Sequence, residues 1–76
     1  MNVKVYSTQT CPYCHRVKDY LKSKNIPYQD FDVGTDSAAR EEMVKLSGQM
    51  GVPVVTIDGN LVIGFDKEKI DSFLGL

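Results

Sequence analysis

Apolar and polar side chains alternate at the start of the chain: in NVKVYS, Val3 and Val5 flank Lys4, and a run of small polar residues follows. That period of two predicts a first strand over residues 2–7, closed by a loop. The period changes at Pro12. Cys14, Val17, Tyr20 and Leu21 recur at helical spacing as one inward face, and Pro12 suits a first helical turn, where its missing N–H costs nothing. This helix is expected to end near Asn25 and Pro27. YQDFDV (28–33) reads as a second short strand. GTDSAAREEMVKLSG then predicts a helix capped by Asp36 or Ser37, with Ala39, Met43, Val44 and Leu46 facing inward and Gly48 as its stop.

VPVVTI and NLVI are two β-branched runs joined at Asp58-Gly59, a pair that favours a tight hairpin turn because glycine tolerates positive φ. DKEKIDSFLGL predicts a last short helix, with Asp66 as N-cap and Ile70, Phe73 and Leu74 inward. The order is βαβαββα. A right-handed βαβ unit followed by a hairpin and a helix gives an α/β fold with a mixed four-stranded sheet flanked by three helices, a thioredoxin-like arrangement.

Length leaves room for a single domain over 1–76, near the lower limit for a core without disulfides or metals. A formal charge of −1 with 25% charged residues argues against nucleic-acid binding. MNVKVYS lacks a basic segment and long apolar core, and no apolar run reaches membrane-spanning length, so a cytoplasmic monomer without membrane attachment is expected. Thiols in that compartment are kept reduced, which weighs against a permanent structural bridge.

The two cysteines form a Cys-x-x-Cys pair in TCPYCH, with His15 immediately after. On the predicted framework Cys11 falls at the strand-to-helix junction, about where an N-cap belongs, and Cys14 lies one turn inside. The partial positive charge and free N–H groups of a helix start stabilise an anion, so Cys11 is expected to ionise well below the ordinary thiol value of about 8.5. Cys14 lies on the apolar stripe, where burial favours the neutral thiol. Residues three apart on a helix have Cβ atoms about 5–6 Å apart, within reach of a disulfide after modest adjustment. Redox use follows, with Cys11 as nucleophile and Cys14 as resolving thiol. A closed zinc site within one chain fails on ligand count, because Cys11, Cys14 and His15 are the only Cys and His ligands. No metal is therefore expected, although an iron–sulfur cluster shared by two chains through Cys11 stays open. His15, Arg16 and Lys18 read as a solvated helix face, with the positive charge of Arg16 and Lys18 near the site as a modest aid to thiolate formation, and Tyr13 as a partly exposed side chain beside the thiols.

CPYCHRVK, REEMVKLSG and VPVVTIDG together resemble a glutaredoxin, in particular the short bacterial dithiol members, over nearly the whole chain. The resemblance implies reduction of protein disulfides and of glutathione mixed disulfides, with glutathione as reducing co-substrate. It implies Pro12 and Tyr13 as the usual pair between the thiols, and a cis-Pro53 facing Cys11 with the Val52 backbone presented to substrate. Gly64, Phe65 and Asp66 are implied as the glutathione-binding segment.

The chain departs from the family pattern in places. Thr8 stands where a Lys or Arg is common, Gly51 replaces a Thr, QM replaces an upstream Arg, and IGFDK stands for Gly-Gly-x-Asp-Asp. GFDKEKI is closer to redoxins that accept electrons from thioredoxin reductase and serve ribonucleotide reductase, which makes these two proteins alternative partners.

Overall fold

The computed structural model describes residues 1–76. In chain order it has β1 (Val3–Ser7), α1 (Pro12–Ser23), β2 (Gln29–Asp32), α2 (Ser37–Ser47), β3 (Val54–Ile57), β4 (Asn60–Ile63) and α3 (Lys67–Leu74). The strands lie in the order β2-β1-β3-β4, with β1 parallel to β2 and antiparallel to β3, and β3 antiparallel to β4. The expected mixed sheet and three helices are present.

Alternation along the strands separates two cores. Val3 and Val5 of β1, with Val55 and Ile57 of β3, face Val17 and Leu21 of α1 and Ile70 and Leu74 of α3. Tyr6 and Val54 point the opposite way, onto Ala39 and Met43 of α2. Successive strand side chains take opposite faces, so the central strands must be apolar at nearly every position. All four residues of β3 are buried accordingly.

Local chemistry sets the element ends. Asp36 caps α2 by accepting the Ala39 N–H at 3.1 Å, and Gly48 closes it at φ +72°. Asp58 and Gly59 both have positive φ and connect Ile57 to its cross-strand partner Asn60, the two-residue hairpin read from the sequence.

Two assignments of side-chain direction are corrected. Leu46 is half exposed and belongs to neither core, because α2 spends its inward face on Ala39 and Met43, with Val44 at the margin, and its last turn runs past them. Lys18 is not part of a solvated face: only 16% of its side chain is exposed, whereas its neighbours Arg16 and Asp19 are exposed.

Candidate active site

The loop from β1 delivers Cys11 to the start of α1. Cys11 has extended backbone angles, φ −97° and ψ 109°, and its Sγ accepts the N–H of Cys14 at 3.2 Å. A sulfur in the N-cap role is directed at the unpaired amides of the first turn, where negative charge is favoured. Pro12 occupies the first helical position. Both thiols are free, Cys11 partly exposed and Cys14 fully buried.

Burial pushes the Cys14 thiol up to about 12, and its hydrogen bond with the Cys11 sulfur adds to the rise. A backbone hydrogen bond from Thr8 and the charge of Lys18 act the other way. The two sulfurs of one motif therefore sit in opposed surroundings, one at a helix terminus and open, the other desolvated.

Val52 and Pro53 lead into β3, the strand that pairs antiparallel with β1. Their peptide bond is cis, Pro53 is buried at the head of β3, and the Cys11 thiol reaches the Val52 carbonyl oxygen at 3.8 Å. Gly64 joins the group through its N–H, which donates to the Pro53 carbonyl at 2.8 Å; its φ of +78° turns the chain from β4 toward α3. Asp66 then caps α3, accepting the Lys69 N–H at 3.2 Å. Cys11, Val52, Pro53 and Gly64 are thus linked by direct contacts, with Asp66 two residues further on.

Phe65 is directed elsewhere. Its ring packs on the α1/α3 core and lies 5.9 Å from the Tyr20 ring, centroid to centroid. Tyr13 is 57% exposed, with the Arg16 guanidinium 5.1 Å from its ring centroid. His15 is exposed, and its Nε2 donates to the Gln9 carbonyl at 2.9 Å, an arrangement that ties the loop to α1. Thr8 is half-buried.

One contributor escaped the sequence reading. Gln49 grips both backbone polar groups of Gly51: its Oε1 accepts the Gly51 N–H and its Nε2 donates to the Gly51 carbonyl at 3.1 Å, which shapes the approach to Val52. No spacing rule signals such a loop clamp. Lys18, read from the sequence as solvated, carried a signal of its partial burial, since it falls within the Cys14, Val17 and Leu21 stripe at positions i, i+3, i+4 and i+7.

The Glutaredoxin family model matches residues 3–62. A glutaredoxin-like 8.6 kDa protein from a rubredoxin operon of Clostridium pasteurianum is 54% identical over 72 residues, covering 95% of this chain and 96% of that one. Glutaredoxin 3 of Escherichia coli is 45% identical over 65 residues, covering 86% and 78%. Among solved structures, a crystal structure of a single-substitution variant of a thioredoxin-like protein superposes with a TM-score of 0.92 at 39% identity, over 97% of this chain and 95% of that one. A thiol pair at a helix start beside a cis-proline, carried on this fold and matched over most of its length, makes this chain a member of the glutaredoxin family of thiol-disulfide oxidoreductases.

Proposed function

We propose that this protein is a dithiol oxidoreductase that reduces protein disulfides and glutathione mixed disulfides, with glutathione as its electron source. The observation that carries the reading is the inequality of the thiols: Cys11 is open at the start of α1, whereas Cys14 is buried one turn inside. Cys11 attacks a substrate sulfur, the substrate S–S bond breaks, and the distal sulfur leaves as a thiolate with the electron pair. Cys14 gives up its proton and attacks the Cys11 sulfur, which releases the second substrate sulfur and leaves a Cys11–Cys14 disulfide. Two electrons have passed to the substrate. One glutathione then opens this disulfide by forming a mixed disulfide at Cys11, and a second collects it as glutathione disulfide. A glutathionylated substrate needs only the Cys11 half of the cycle.

In this reading the Val52 backbone pairs with the backbone of an incoming cysteine like an added strand, with Pro53 fixing its direction and Tyr13 flanking the approach. Gly64, Asp66 and the first amides of α3 receive the charged γ-glutamyl end, and Phe65 anchors that segment from behind. The chemistry runs on reduced thiols and suits the cytoplasm. No helix is long and apolar enough to cross a membrane.

The absence of a cation at Thr8 favours a second reading, a redoxin fed by thioredoxin reductase that serves ribonucleotide reductase. Reduction of one disulfide substrate is to be followed with glutathione and glutathione reductase in one arm and thioredoxin reductase in the other. A faster glutathione arm is expected. A faster thioredoxin reductase arm overturns the glutathione assignment, and a brown dimer inactive in both arms after anaerobic purification points to an iron–sulfur carrier.

A further inference from the structure

Lys18 is held in an unusual way for a helix lysine. Its Nζ donates to Asp30 Oδ2 at 3.1 Å and to Ser7 Oγ at 3.4 Å, and Ser7 in turn donates to Asp30 Oδ1 at 2.8 Å. The three groups close a triangle between α1, β1 and β2. Fixing a long side chain costs rotamer entropy, and an ion pair open to water on one side returns little, so stability alone is a poor reason for the arrangement. Its location suggests another. Lys18 follows Cys14 by one helical turn on the same face, and Ser7, which receives the ammonium, stands at the end of β1, where the chain leaves for the loop that carries Cys11.

We propose that Lys18, pinned by Asp30 and Ser7, is the positioning residue that enables Cys14 to attack the mixed disulfide on Cys11, its ammonium stabilising the negative charge that grows on the Cys14 sulfur. The inference rests on Cys14 being the resolving thiol. In that step the Cys14 S–H proton is lost to the leaving thiolate or to water, and the freed electron pair bonds to Cys11 Sγ. The bond from Cys11 to the substrate sulfur breaks, and Lys18 keeps all its hydrogens. A thiol pushed up to about 12 by burial is almost never ionised at neutral pH, so a fixed nearby cation addresses the step's main obstacle. Ionisable groups that share the Lys18 pocket are His15 on α1 and Asp30 and Asp32 on β2, with Cys11 at the N-cap beside Cys14 and with Tyr13 and Arg16 on the open face of α1. Asp30 opposes Lys18 in sign. Its side chain is 44% exposed against 16% for Lys18, so water screens the carboxylate more than the ammonium.

The test is stopped-flow mixing of reduced protein with excess 5,5′-dithiobis(2-nitrobenzoate), which releases one coloured thiolate when Cys11 attacks and a second when Cys14 resolves. Lys18→Met is expected to slow the second release about ten-fold at pH 7, and to keep it slower at every pH between about 5 and 9, by removing an opposite charge. Lys18→Gln, which keeps a donor to Asp30 without the charge, is expected to do the same, and Lys18→Arg to restore most of the rate. Lys22→Met, a charge loss on the exposed face of α1, controls for overall charge. An unmoved second phase in Lys18→Met and Lys18→Gln overturns the proposal, as does slowing that Lys18→Arg fails to rescue. A second phase that survives in Cys14→Ser overturns the resolving role of Cys14 instead.

Discussion

The thiol of Cys11 meets the carbonyl oxygen of Val52 at 3.8 Å, across 41 positions of sequence. One belongs to the start of a helix and the other to the entry of a strand, and the antiparallel pairing of β1 with β3 brings them together. A sulfur beside an extended backbone segment is well placed for a substrate cysteine that lays its own backbone along that segment.

The burial difference predicts selective alkylation. At pH 7 iodoacetamide is expected to modify Cys11 first, while Cys14, buried and with its thiol pushed up to about 12, reacts slowly in the folded protein. Peptide mass mapping over time reads the order, and faster labelling of Cys14 would reverse the two roles.

The division of labour separates two activities. Cys14→Ser is expected to keep removal of glutathione from a substrate and to lose most protein-disulfide reduction, because a bulky partner needs the neighbouring thiol to release it. Cys11→Ser is expected to abolish both. Equal loss of both activities in a folded Cys14→Ser protein contradicts the scheme.

Thr8 concerns affinity for glutathione. An exposed charge contact contributes under about 1 kcal/mol, so Thr8→Lys is expected to lower the apparent Michaelis constant for glutathione several-fold at most. Initial rates at varied glutathione decide it, and an unchanged or higher constant shows that Thr8 does not limit binding.

Asp71 predicts a pH dependence of stability. The Tyr20 hydroxyl and the Lys67 ammonium, the latter at 2.9 Å, both bond its carboxylate and hold it below the usual carboxylate range. Its folded value is below its unfolded one, so the stabilisation is present above about pH 4 and is lost as pH falls through the folded value. Urea midpoints of the parent protein and Asp71→Asn are expected to differ at pH 6 and to converge toward pH 2. A gap that persists at low pH removes the carboxylate from the explanation.

Leu21 and Leu46 test the packing. Leu21 is fully buried and Leu46 half exposed, so Leu21→Ala is expected to cost about 2–5 kcal/mol and Leu46→Ala no more than about 0.5 kcal/mol. Urea denaturation measures both, and comparable losses would restore Leu46 to the core.

Local patterns were legible in the sequence because they act over a few residues. The alternation at Val3 and Val5, the proline after Cys11, the cap at Asp66 and the Asp58-Gly59 turn each encode a backbone preference without reference to the rest of the chain. Together they determined the order of elements, and the helix start determined the unequal settings of Cys11 and Cys14. Periodicity also marked a face for α2, but whether the core extends under Leu46 depends on where the sheet lies, which no spacing records. Phe65 stands in a segment implied to bind glutathione, and only packing against Tyr20 shows its ring committed to the core. Lys18 looked like surface until β2 brought Asp30 beside it, and Val52 acquired its neighbour Cys11 through β1–β3 pairing. Secondary structure is chosen by neighbours along the chain, whereas the surroundings of a side chain are chosen by strands and helices that meet from distant positions, so the thiol motif was readable in one dimension and its supporting shell only in three.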